Sequence, residues 1–227
     1  MVKVKICGIT NWADAKAAVE AGANLLGFNF YRKSPRYIAP RSAARIIRRL
    51  PKTIRAVGVF VNETEPAILE TARRAGLDEL QLHGDESPEL VERLSAEFPV
   101  IKAMRVRGSL PASQLRRFSK ADAVLLDGFD AKQYGGTGTT FDWRLVRRAG
   151  LRTKIFLAGG LTVENVQEAI TVSKPYAVDV CSGVETRPGK KDLRRMRSFL
   201  QAAKSPTKTT VALTGKRSSK AKAERRG

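Results

Sequence analysis

The sequence predicts an α/β protein: a single (β/α)8 barrel of the TIM type, followed by a disordered basic carboxy-terminal tail. Three observations predict it. Eight short apolar or β-branched runs recur along the 227 residues, each followed by a longer segment of helical spacing. Strict alternation of strand and helix implies parallel strands. Repeats of roughly 20 to 30 residues suit a closed barrel better than an open doubly wound sheet. The doubly wound alternative also lacks its fingerprint, because "GGTGTT" has no third glycine and does not sit in the first strand-to-helix turn. Neither "PGKKD" nor "TGKRS" completes a phosphate-binding P-loop.

The strands begin near Val2, Leu25, Arg55, Glu79, Val100, Ala123, Ile155 and Ala177. The first stops at Cys7, where Gly8 breaks it. Helix starts are marked by Thr64 with Pro66, by Ser87 with Pro88, and by Thr162 ahead of the periodic run in "GGLTVENVQEAI". Gly22, Gly76 and Gly150 stand where a left-handed residue ends a helix.

Residues 1–203 are therefore expected to form the barrel and 204–227 the tail. The formal charge is +20, of which the tail carries +7. The tail is rich in Ser, Thr, Lys and Ala and poor in large apolar residues, so burial cannot offset its ordering entropy. A basic tail can neutralise phosphates, but this one has no aromatic residue for base stacking. Its composition favours a solvated appendage over a nucleic-acid binder. No apolar run is long enough to span a bilayer, and Lys alternates with Val and Ile at the amino terminus. A soluble, cytoplasmic protein without membrane association is expected. Two distant cysteines and one histidine, outside any ligand spacing, exclude a structural zinc site.

In such a barrel the chemistry sits on loops at the carboxy ends of the strands. Those ends present Cys7, the "NFYRKSPRY" loop, His83, Asp127, "AGG" and "CSGVE". The last two follow strands seven and eight, where phosphate docks on this fold, and make Gly159, Gly160, Ser182 and Gly183 a candidate cradle of backbone N–H groups. A cysteine at a strand end is by itself an ordinary core residue, and an aspartate before glycine is ordinary turn chemistry. Together, Cys7 and Asp127 would flank a phosphorylated small molecule from two sides, as a proton-shuttling isomerisation requires.

The blocks "KICGIT", "FNFYRKSPRYI", "LQLHGDES", "LLDGFDAKQYGGTGTTFDW", "LAGGLTVENV" and "AVDVCSGVETRPGKKD" closely resemble the phosphoribosylanthranilate isomerase family of tryptophan biosynthesis, in register from residue 2 to about 200. The resemblance implies a cofactor-free Amadori rearrangement of N-(5-phosphoribosyl)anthranilate. It implies Asp127 as the general acid on the furanose oxygen, Cys7 as the general base at C2, and Arg36 as the anthranilate carboxylate's partner. Arg suits that task because guanidinium meets carboxylate bidentately. His83 is expected to line the site, and "GGTGTTFDW" to close over it.

A thiol is a serviceable base only when partly ionised. Lys3, Lys5 and Cys7 share one face of strand one, as Asp179 and Cys181 share one of strand eight. Lys5, balanced by Asp179, is thus expected to be an interior cation favouring the Cys7 thiolate. One departure stands out: Cys181 occupies a position that is usually serine in the resembled block. The nearest rival, the related aminoaldose isomerisation of histidine synthesis, typically uses two aspartates, whereas here strand one ends in cysteine. A monomer is favoured over a homodimer.

Overall fold

The computed structural model describes residues 1–106, 109–128, 141–148 and 153–205. Among these described residues, eight parallel strands alternate with eight α-helices: β1 (Lys3–Ile6), α1 (Trp12–Glu20), β2 (Leu25–Asn29), α2 (Pro40–Ile47), β3 (Arg55–Phe60), α3 (Glu65–Ala75), β4 (Glu79–Leu82), α4 (Pro88–Ser95), β5 (Val100–Val106), α5 (Ala112–Arg116), β6 (Ala123–Gly128), α6 (Arg144–Arg148), β7 (Lys154–Leu157), α7 (Val166–Ser173), β8 (Ala177–Val180) and α8 (Leu193–Lys204). Each strand pairs with its successor, and β8 pairs with β1, so the sheet closes and has no edge.

The side-chain period of two sorts the residues. Val4, Ile6, Leu26, Phe28, Leu80 and Leu82 point outward into the layer between barrel and helices. Leu25, Val57, Ile101, Ala123, Leu125 and Phe156 fill the barrel interior. Higher in the interior the same faces turn polar: Lys5, Gln81, Asp127 and Asp179 are all buried there.

Local signals explain most boundaries. Ser87 caps α4 by accepting from the Leu90 N–H at 3.3 Å, with Pro88 in the first turn. Gly76 ends α3 at φ 74°, in the left-handed region. Thr162 does not cap α7. Its N–H donates to Asn165 Oδ1 at 2.8 Å, and the helix starts one turn later at Val166. β1 begins at Lys3 rather than Val2, and β7 at Lys154 rather than Ile155. Gly150 lies outside the described residues, as do 206–227, which hold nearly all of the expected tail. Lys204, at the expected boundary, closes α8 and donates to the Gly22 carbonyl, tying this helix to the end of α1.

One addition is absent from the periodicity. A short antiparallel hairpin, β9 (Glu185–Arg187) and β10 (Lys190–Lys191), lies between β8 and α8. Asp14 of α1, itself buried, accepts from the Lys191 N–H at 2.9 Å and from Lys190 Nζ at 3.0 Å, so the hairpin is stitched to the first turn of α1.

A buried ion pair fixes the loop after β4. Lys102 Nζ donates to Glu86 Oε2 at 2.7 Å and to the Gly84 carbonyl at 2.7 Å. Glu86 in turn accepts the N–H groups of Asn62 and Gly84. Burial pushes the Lys102 ammonium below the ordinary lysine range, against the pull of Glu86. Removing one partner leaves an uncompensated buried charge. Glu86→Ala is therefore expected to lower stability by about 3 to 5 kcal/mol in urea unfolding. Lys120→Ala, which breaks only the exposed Lys120–Glu92 pair, is expected to leave the midpoint unchanged.

Candidate active site

All eight residues singled out from the sequence line one cleft at the carboxy ends of the strands: Cys7, Arg36, His83, Asp127, Gly159, Gly160, Ser182 and Gly183. The topology explains the convergence. Inward-facing positions one step beyond the last interior layer necessarily meet at the mouth of a closed barrel.

The centre of the site is the seam where the barrel closes. Lys5 pairs in register with Asp179, and Lys5 Nζ donates to both carboxylate oxygens at 3.0 Å. Lys5 is completely buried. Burial opposes its charge, but Asp179 and the Cys7 sulfur outweigh that and hold the ammonium above the ordinary lysine value. Burial pushes Asp179 up to about 7, against the pull of Lys5.

One step further along the same two strands come Cys7 and Cys181, both free thiols and both half-buried. A hydrogen bond from Cys181 draws Cys7 well below the ordinary thiol value; burial opposes this, and the Lys5 and Lys191 charges reinforce it. Cys181 moves the opposite way, raised chiefly by its hydrogen bond to Cys7 and then by burial. Of the two sulfurs, Cys7 is the one whose surroundings favour the thiolate, while the Cys181 thiol also donates to Glu185 Oε1 at 3.8 Å.

The hairpin, which no sequence period reveals, supplies a third layer. Lys191 is fully buried and donates to the Cys7 carbonyl, to the Cys181 carbonyl at 3.4 Å and to Glu185 Oε1 at 2.9 Å. Glu185 also receives Arg36 through Nε at 3.0 Å and Nη2 at 2.7 Å. Arg36 does not simply await a substrate carboxylate. It is already held side-on by Glu185, which fixes the plane of its guanidinium above the cleft. Burial opposes the charge on Glu185, but Arg36 and Lys191 keep its carboxylate below the usual range.

On the other side, Asp127 ends the apolar run of β6 and is buried. His83 Nε2 lies 3.3 Å from Asp127 Oδ2, off-line for a hydrogen bond. His83 Nδ1 lies 2.9 Å from the Gln81 amide nitrogen. With that amide donating, Nδ1 is the acceptor and Nε2 carries the proton facing Asp127. Gln81 is a further site residue that the sequence motifs do not single out. Its alternation with His83, the residue just past β4, is the signal that could have found it.

Between these two sides lie the glycine loops. Gly159 has φ 84°, and a Cβ there would fall 2.2 Å from the Gly128 nitrogen and 2.8 Å from Asp127 Oδ1. At Gly183 a Cβ would meet the Leu161 carbonyl oxygen at 2.1 Å. The two loops thus touch backbone to backbone. Of the "GGTGTTFDW" segment, residues 135–140 lie outside the described residues.

The Lys5 geometry has a direct test. A cation beside a thiol stabilises the thiolate, so its removal favours the protonated form. Lys5→Met is expected to raise the apparent pKa of Cys7 alkylation toward the ordinary thiol value of about 8.5 and to slow alkylation at neutral pH. Iodoacetamide kinetics across pH check this; an unchanged profile would assign the effect to Cys181 and Lys191 alone.

The family model for N-(5'-phosphoribosyl)anthranilate (PRA) isomerase matches residues 4–202. N-(5'-phosphoribosyl)anthranilate isomerase of Geobacter sulfurreducens is 50% identical over 204 residues, covering 90% of this chain and 99% of that protein. The crystal structure of phosphoribosyl anthranilate isomerase from Thermotoga maritima superposes with a TM-score of 0.83 at 44% identity, covering 90% of this chain and 99% of that one. A crystal structure of phosphoribosyl anthranilate isomerase in complex with reduced 1-(o-carboxyphenylamino)-1-deoxyribulose 5-phosphate gives a TM-score of 0.80 at 43% identity, with the same coverage. With family model, relatives and solved structures each spanning nearly the whole barrel, this chain belongs to the N-(5'-phosphoribosyl)anthranilate isomerase family.

Proposed function

We propose that this cleft performs the isomerisation for which the family is named, the step of tryptophan biosynthesis that converts N-(5'-phosphoribosyl)anthranilate into 1-(2-carboxyphenylamino)-1-deoxyribulose 5-phosphate, with Cys7 as base and Asp127 as acid. The observation that carries this assignment is the placing of Cys7, with the Lys5 ammonium beside its sulfur, at the end of β1 and of the buried Asp127 carboxyl at the end of β6, on either side of one cleft. Asp127 gives its proton to the furanose oxygen as the C1–O bond breaks, and the anthranilate nitrogen's lone pair forms the C1=N bond of a Schiff base. Cys7 then takes the C2 proton. The C–H electron pair forms C1=C2, and the C=N electrons return to nitrogen. The resulting enolamine tautomerises to the ketone.

The other residues position the substrate. Arg36, its plane set by Glu185, holds the anthranilate carboxylate. Backbone N–H groups around Gly159, Gly160, Ser182 and Gly183 hold the phosphate. The complex of the 43% identical isomerase with a phosphorylated deoxyribulose compound supports a ligand of that class. His83, held by Gln81, lies beside the acid and lines the site. The roles all fall within residues 1–203, which we read as the catalytic barrel, with 204–227 as an appendage. The Thermotoga maritima relative is described as dimeric.

Turnover of freshly prepared substrate tests the assignment. Cys7→Ala and Asp127→Asn are each expected to lower kcat by about 10²- to 10⁴-fold with folding retained. Full activity in either variant would overturn its role. Arg36→Met is expected to weaken competition by free anthranilate while sparing competition by inorganic phosphate, and Gly183→Ala to do the reverse. Inhibition constants for the two probes separate the subsites.

A further inference from the structure

The thiol pair at the barrel seam is more than the isomerisation needs. One sulfur suffices for a base, and a hydroxyl would serve as its hydrogen-bond donor. The second sulfur gives the pair chemistry of its own. Ile6 and Val180 are register partners, and the Cys7 N–H continues the ladder to the Val180 carbonyl at 2.9 Å. Cys7 and Cys181 are therefore neighbours on adjacent strands, whose backbones lie about 4.8 Å apart. That falls within the Cα separation of roughly 4.4 to 6.8 Å that a disulfide bridges. The Lys5–Asp179 pair two residues back shows that these faces point toward each other, and alternation carries Cys7 and Cys181 to the same side. Both sulfurs line the open cleft, within reach of a small solute. Two cations stand close: Lys5 beneath Cys7, and Lys191 with its Nζ 3.9 Å from Cys181 Sγ.

We propose that Cys7 and Cys181 are a peroxide-reactive pair that closes into a reversible disulfide, switching the enzyme off. The oxidant is a hydroperoxide. The Cys7 thiolate attacks its terminal oxygen; the O–O bond breaks, an S–O bond forms, and the leaving oxygen departs with a proton as water or alcohol. Cys7 is then a sulfenic acid. The Cys181 sulfur attacks Cys7 Sγ, an S–S bond forms, the S–O bond breaks, and hydroxide leaves with the Cys181 proton as water. One peroxide is reduced and two thiols are oxidised. The second step also protects the base, because a sulfenic acid left unresolved oxidises further to a sulfinic acid that thiols do not reduce. Formation of the bond depends on the thiols alone; its effect on turnover rests on the reading of Cys7 as the base.

The test uses the full chain, reduced, freed of thiol and treated with hydrogen peroxide, then quenched with iodoacetamide. The expected result is a protein two hydrogens lighter, a Cys7–Cys181 cross-linked peptide, and turnover lowered at least about a hundredfold and restored by dithiothreitol. In Cys181→Ser, scored against its own untreated activity, the same treatment with dimedone present is expected to trap Cys7 as its adduct. Without dimedone, prolonged exposure is expected to leave Cys7 as sulfinic acid that dithiothreitol does not rescue. A Cys7 dimedone adduct accumulating in the natural chain beside a free Cys181, or two alkylatable thiols after treatment, would overturn the proposal. A cross-link with undiminished turnover would establish the bond and overturn the assignment of Cys7 as base.

Discussion

The Lys5–Asp179 pair is the interaction on which the rest of this site depends. It sits in the barrel interior at the seam between the first and last strands, where a lysine and an aspartate have no business unless each answers the other. A buried charge without its partner costs several kcal/mol, so the pair specifies the register in which β1 meets β8 as strongly as any apolar contact does. That register sets which residues stand next to each other one step higher, and there the two sulfurs meet. The same ammonium that closes the barrel also faces Cys7, so structural and chemical tasks fall on one side chain.

Above the pair, a second layer works by the same logic. Lys191 reaches in from the hairpin and holds the carbonyls that end β1 and β8, while its other partner, Glu185, holds Arg36. The substrate-facing guanidinium and the base are thus connected through two buried side chains. Preorganisation of this kind removes the entropy of orienting long side chains before a ligand arrives.

The barrel is legible in the sequence because its signals are local and repeated: apolar runs, Ser87 with Pro88, Gly76 at the end of α3. Site residues at strand ends are legible because the fold itself brings those ends together, and Lys5 with Asp179 follows from alternation. The hairpin is not. Its strands are three and two residues long, too short for any period to register, and its stability comes from Asp14, distant in sequence. Glu185 and Lys191 go unnoticed with it, since a buried ion pair across so short a hairpin leaves no spacing to read. Thr162 misleads because an Asn165 side chain can take up a turn that would otherwise have become the first turn of the helix.

The contact between Lys204 and the Gly22 carbonyl has a consequence for the architecture as a whole. It brings the last helix against the loop that leads into β2, on the face of the barrel away from the cleft, where β1 also begins. The strand that opens the barrel and the helix that closes it thus start and finish on the face that does no chemistry. Sequence added at either of these points leaves the catalytic face undisturbed.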